Sequence, residues 1–175
     1  MLWEKFGTSR LMSLLPDLEN RKFVNPYIQK MLDQGKYVLQ EDEAKQSRSV
    51  WCQNVFQKDQ PVHVEIGTGN GFHFAHYAHS NPGVSVVGFE IKFKTLVQSI
   101  ARARVHDCVN ARMVLGAVSS LKDYFSEGEV EKIIIHFPDP WPKLRQRKNR
   151  LMSVDFLLSA YDVLTPGGVL EFQTD

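Results

Sequence analysis

From about residue 61 onward, short apolar runs alternate with longer stretches of helical periodicity, and that alternation leaves few folds open. The runs are "VHVEI" (62–66), "VSVVGFE" (84–90), "ARMVL" (111–115), "EKIIIHF" (131–137) and "VLEFQT" (169–174). Each is apolar through its centre, as strands covered on both faces must be, so the expected sheet is mostly parallel with helices on both sides. Between the runs, "KFKTLVQSIARARVH" carries Phe93, Leu96, Val97 and Ile100 as one helical stripe, with its cations largely elsewhere. Ser153 can cap "VDFLLSAYDVL", whose Phe156, Leu157, Ala160, Tyr161 and Leu164 are expected to pack inward before "TPGG" ends the helix. Residues 1–60 show two helical stretches, "NPYIQKMLDQG" and "EDEAKQSRSVWCQNVF", and no strand pattern. They read as an N-terminal helical extension ahead of an α/β domain over 61–175.

With 175 residues, 43% of them hydrophobic, the chain has material for one core rather than two. It holds no run of eighteen or so apolar residues, and "MLWEKFGTSR" lacks the apolar middle of a secretory signal, so a cytosolic protein with no membrane partner is expected. Cys52 and Cys108 have no metal-ligand or disulfide-framework spacing. The formal net charge is only +1, yet Lys143, Arg145, Arg147, Lys148 and Arg150 fall together with no acid among them. An anionic partner should therefore dock locally.

In open α/β sheets ligands bind outside the carboxyl ends of the strands. After the first run comes "GTGNG", where Gly67, Gly69 and Gly71 permit sharp turns and close approach of a ligand to the backbone. The spacing departs from the G-x-G-x-x-G of dinucleotide binders. The second run ends at Glu90, a carboxylate able to accept hydrogen bonds from ribose hydroxyls. Glu65, just ahead of the glycines, would repel a diphosphate and attract the sulfonium and ammonium of S-adenosylmethionine, so a methyl donor is favoured over NAD. The fourth run delivers "FPDPWPK", in which prolines on both sides of Asp139 stiffen the loop and hold it extended.

"VEIGTGNGFHFA", "VVGFEIK", "IIIHFPDPWPKLRQRKNRL" and "LTPGGVLEFQTD" resemble, in order and spacing, blocks of the tRNA (guanine-N7-)-methyltransferase family. The resemblance covers about residues 62–175. It implies a Rossmann-like class I methyltransferase fold, S-adenosylmethionine as cofactor, tRNA as partner, no metal, and methylation of a guanine N7 in the variable loop. It also implies cofactor contacts at Glu65, Gly67, Gly69, Glu90, Ile91, Gly116, Ala117 and Asp139, a catalytic role for Asp139, and substrate contacts at Lys143, Trp141, Arg147, Arg150 and Asp175. Three departures stand out. Gly116-Ala117 replaces an Asp or Asn followed by Ala, so an adenine-side hydrogen bond is expected to be missing. Gln146 and Asn149 interrupt the basic block. The chain also stops at "QTD", ahead of the C-terminal strands and the Thr-x-Tyr/Phe-Glu motif, so it reads as the N-terminal portion of such a protein.

Two other readings stay open at this point. One is an amino-group methyltransferase, which places an Asn/Asp-Pro-Pro-aromatic loop after the same strand; the other is a cofactor- or RNA-binding module without catalysis. Trp141 can stack on an extruded base or anchor its own loop. His73, His76 and His79 form HxxHxxH, but on a helix they spread over about 120° of arc, too wide for one ion.

Overall fold

The computed structural model describes residues 25–141, 143, 145 and 150–174 of the chain. Its centre is one sheet of six strands: β1 (Val38–Gln40), β2 (Val62–Ile66), β3 (Ser85–Glu90), β4 (Ala111–Leu115), β5 (Val130–His136) and β6 (Leu164–Gln173). Their spatial order is β1-β4-β3-β2-β5-β6, and every pairing is parallel. The order reverses direction at β2, which lies between β3 and β5, so the crevice a doubly wound sheet offers to a ligand opens above β2.

Six helical segments matter to the site. They are α1 (Pro26–Leu32), α2 (Glu41–Gln46), a π-helical turn (Trp51–Phe56), α3 (Phe72–Ser80), α4 (Phe93–Val105) and α5 (Val154–Val163). Alternation along the strands divides the core in two. Val62, Val64, Ile66, Val87, Phe89, Ile133 and Ile135 pack against Trp51, Phe56, Phe125, Phe156 and Ala160 on one face. On the other, Val86, Ala111 and Met113 pack against Phe74, Ala78, Leu96, Ile100 and Met31. Helices thus cover both faces, as the apolar runs imply. Among the described residues no helix is long and apolar enough to cross a membrane.

Three details differ from the sequence reading. The segment ahead of residue 60 supplies a strand, β1, which pairs with β4 through Val38, Leu39 and Gln40. Three residues are too few to show a period of two. In α5 the buried positions are Phe156, Ser159, Ala160 and Val163, while Leu157 is 42% and Tyr161 80% exposed. The buried arc is i, i+3, i+4, i+7 from Phe156, and Leu157 and Tyr161 sit one residue, about 100°, round the helix from it. Finally, β6 begins at Leu164 rather than Val169. Val130 pairs with Leu164 but Lys132 with Val169, so the intervening "TPGG" bulges out of the ladder without ending it.

Candidate functional site

Parallel strands bring all their carboxyl ends to one rim. Gly67 follows β2, Glu90 ends β3, Gly116 follows β4 and Phe137 follows β5. Because β2 pairs in register with β5 through Ile66 and Ile135, the glycine loop and the Asp139 loop leave the sheet side by side. Those expected contacts that lie among the described residues therefore share one end of the sheet. Arg147 and Asp175 lie outside the described residues, as do Lys148, Gln146 and Asn149.

The glycine loop is fastened from several sides. The amides of Gly67 and Thr68 donate to the carbonyl of Phe89 at 2.9 and 3.2 Å. Ser99 Oγ of α4 donates to the carbonyl of Gly69 at 3.0 Å, and Arg102 Nη1 donates to that of Asn70 at 2.8 Å. The three glycines have different duties. All have positive φ, but a Cβ at Gly71 would collide with Ser99, whereas one at Gly67 or Gly69 would meet no atom within 4 Å. Gly71 serves packing; the other two border open space.

The two rim acids are both buried. Glu90 is 8% exposed, and its Oε1 accepts from the amides of Ile91 and Lys92 at 2.8 and 3.0 Å. Its Oε2 takes no bond among the described residues. Glu65 is 3% exposed, and its Oε2 meets His73 Nδ1 of α3 at 2.8 Å. That bond raises the His73 pKa above the ordinary histidine value, against the opposing effect of burial. The His73 ring stacks on Tyr77 at 5.5 Å and stands edge-on to His136 at 4.5 Å. Beyond it, Glu171 of β6 joins Lys132 Nζ and His136 Nε2, each at 2.8 Å, and Lys132 first and His136 second lower its pKa. Sequence reading missed the Glu65–His73 pair because it requires one turn of helix folded back over its own strand. His79 donates to the carbonyl of His106 at 3.3 Å, and no group of three metal-ligating side chains gathers among the described residues.

Past Glu90 the rim opens into a cavity of about 380 Å³, lined by Gln40, Glu41, Asp42, Ile91, Phe93, Leu115, Gly116 and Ala117. Such a volume falls within the roughly 300–1,000 Å³ of small-molecule sites. Three lining residues, Ile91, Gly116 and Ala117, are expected contacts. Gln40, Glu41 and Asp42 come from the N-terminal segment and carry no motif that could have announced them. Tyr124 backs the lining residues Gly116 and Ala117: its hydroxyl donates to the carbonyl of Ala117 at 3.3 Å, and burial first, then the nearby Glu41 charge, push its pKa upward.

The Asp139 loop is built otherwise. Phe137 (φ +48) and Trp141 (φ +40) adopt left-handed backbone at either end of the Pro-Asp-Pro segment. The Phe137 amide donates to the carbonyl of Gln173 at 2.8 Å, and Arg150 Nε to that of Trp141 at 3.1 Å. Between these anchors Asp139 is exposed, Trp141 is half-buried, and Lys143 and Arg145 are exposed. One side of the rim is thus a buried, hydrogen-bonded cradle, and the other an exposed acid beside exposed cations.

Residues 59–175 match the family described as "Putative methyltransferase". Among curated relatives, a tRNA (guanine-N(7)-)-methyltransferase of Bdellovibrio bacteriovorus is 38% identical over 81% of this chain and 70% of its own length. One of Streptococcus equi subsp. equi is 36% identical over 79% of this chain and 64% of its own. The chain thus spans about two thirds of these relatives. Among solved structures, a SAM dependent methyltransferase from Aquifex aeolicus superposes with a TM-score of 0.50 at 12% identity, over 75% of this chain and 71% of that one, a likeness of fold.

Proposed function

The chain belongs to the tRNA (guanine-N7-)-methyltransferase family, and on that premise we propose that it transfers a methyl group from S-adenosylmethionine to N7 of a guanine in the variable loop of tRNA. The observation that carries the proposal is the register of β2 with β5, which sets the glycine cradle and Asp139 on neighbouring strand ends. A reaction joining a cofactor to a nucleobase needs that adjacency.

The residues present fit the cofactor. Gly67 and Gly69 leave the space above their backbone open, Glu90 keeps one carboxylate oxygen for ribose hydroxyls, and the cavity bordered by Ile91, Gly116 and Ala117 accepts a purine. Glu65, buried and paired with His73 at the end of β2 just ahead of the glycine loop, would supply the negative charge that attracts a cationic group. When bound, S-adenosylmethionine supplies an electrophilic methyl on a sulfonium. Guanine N7 already carries an in-plane lone pair, so no residue need remove a proton from that atom. The protein's task is alignment, which can supply an effective molarity of about 10⁵ M, or roughly 7 kcal/mol of barrier.

On this reading Asp139 accepts hydrogen bonds from N1 and N2 of guanine, an edge adenine does not offer, and offsets the positive charge growing on the ring. Trp141 stacks on the extruded base. Lys143, Arg145, Arg147, Lys148 and Arg150 contact phosphates, and Asp175 contacts the substrate. The reaction machinery lies in residues 61–175, the N-terminal extension closes the cavity, and the place of action is the cytoplasm. Transfer of labelled methyl to total tRNA by the purified chain, followed by nucleoside digestion, tests the proposal. Label in 7-methylguanosine is expected; label in another nucleoside, or none, overturns it.

A further inference from the structure

The cavity past Glu90 has apolar walls in Ile91, Phe93 and Leu115 and an acidic end formed by α2 of the N-terminal segment. Position 116 carries no side chain, and the space it would project into is bordered by Glu41 and the Tyr124 hydroxyl. A Cβ there would lie 3.5 Å from Glu41 Cγ and 3.6 Å from Glu41 Oε2. Glu41 is half-exposed: Lys45 Nζ donates to its Oε1 at 2.6 Å, and its Oε2 lies on the Gly116 side beside the Tyr124 hydroxyl, which shares a hydrogen bond with this carboxylate. The same corner of the rim holds Glu90, more than nine-tenths buried with Oε2 unbonded among the described residues, and the Gly116 amide donates to the Glu90 carbonyl at 3.2 Å. On the cofactor reading the first carboxylate is placed for a ribose, and the second stands two strands further out, past β4 at the end of β1, on the side toward which the attached base would extend.

We infer that Glu41 is the specificity-determining residue of the base pocket: its Oε2 accepts a hydrogen bond from the exocyclic amine of adenine, in the position a side chain at residue 116 would otherwise fill. The inference rests on the cofactor reading above and adds to it a residue from outside the α/β domain. Its chemical logic is polarity. A 6-amino purine turns a donor toward Oε2, whereas a 6-oxo purine turns a carbonyl oxygen toward a carboxylate. Asp42 adds charge of the same sign at the cavity's end, so the bias holds without a contact from it. The role in helix geometry is separate: Glu41 is a first-turn acid of α2, and a glutamine keeps the side-chain length and most of that function.

The test is calorimetric binding of S-adenosylhomocysteine and of its 6-oxo analogue, S-inosylhomocysteine, to the purified chain. The wild type should prefer the adenosyl compound by about tenfold or more. In Glu41→Gln, whose amide can donate as well as accept, that preference should shrink to within about threefold, chiefly through tighter binding of the inosyl compound. Glu41→Ala should lose the preference, and adding Gly116→Asp to Glu41→Ala should restore it from the other side of the pocket. An unchanged ratio in Glu41→Gln, or an equal loss of both compounds, would overturn the assignment while leaving the cofactor reading standing. Failure of the wild type to bind either compound would overturn both.

Discussion

The two sides of the rim are built on different principles. From β2 to β4 the functional groups are buried and cross-linked: Glu65 to His73, Glu90 to two amides, and the glycine loop to Ser99 and Arg102 of α4. Beyond β5, Asp139 and Lys143 are exposed, and among the described residues the loop is held through Phe137 and Trp141. A small cofactor rewards a preorganised cradle, because ordering it on binding would subtract from affinity. A folded RNA approaches from solvent and rewards accessible charge. The contrast says that cofactor binding and substrate engagement should be separable by mutation.

The most severe break is expected at Asp139. Asp139→Ala should lower methyl transfer by about 10²–10³ fold, the scale for losing one aligned electrostatic partner, while cofactor affinity changes far less. Single-turnover rates beside calorimetry measure both, and equal losses in the two would erase the proposed division. Next in size, Gly71→Ala should destabilise the fold by on the order of 2–3 kcal/mol, since it combines overpacking against Ser99 with left-handed backbone. Gly69→Ala meets no atom and should cost only about 1 kcal/mol in urea denaturation, yet weaken cofactor binding. The pair tests whether adjacent glycines serve packing and ligand respectively. Salt sharpens the contrast more gently: tRNA affinity should fall between 50 and 200 mM salt with a log–log slope of about −0.7 to −0.9 per phosphate contacted. Cofactor affinity should stay nearly flat over the same range.

The smallest effect concerns the Glu65–His73 pair. The bond raises the folded-state pKa of His73 above its unfolded value of about 6.5, so the stability it adds is complete below that value and is lost as pH rises through the folded pKa. The His73 side chain is 38% exposed, so screening should hold the contribution under about 1 kcal/mol. Denaturation of wild type and His73→Gln at pH 5.5 and pH 8.5 would read it: the difference between them should be larger at the lower pH.

How far the sequence foretold this molecule depends on how local each feature is. Strands β2 to β5 were legible because burial on both faces writes a continuous apolar run, and the rim followed because parallel strands end together. β1 was not legible, since Val38–Gln40 is too short for any period and owes its strand to β4. Leu157 and Tyr161 were placed inside α5 because a polar–apolar pattern does not distinguish the buried arc from an apolar outer face. Gly67, Glu90 and Asp139 carried their own signals of turn, spacing and stiffness. Glu41 carried none: it enters the cavity only because β1 adds to the sheet next to β4, and no spacing within one segment encodes that arrangement.

One consequence follows from Trp51. Its indole is fully buried, stacks on Phe125 at 5.4 Å and donates from Nε1 to the carbonyl of Tyr124 at 2.8 Å, while the Tyr124 hydroxyl reaches the carbonyl of Ala117. The stretch ahead of the motifs therefore splints, from behind, the loop of Gly116 and Ala117 that lines the cavity past Glu90. Trimming the chain to its motif-bearing portion would leave every signature residue in place and slacken the surface against which one of them is measured.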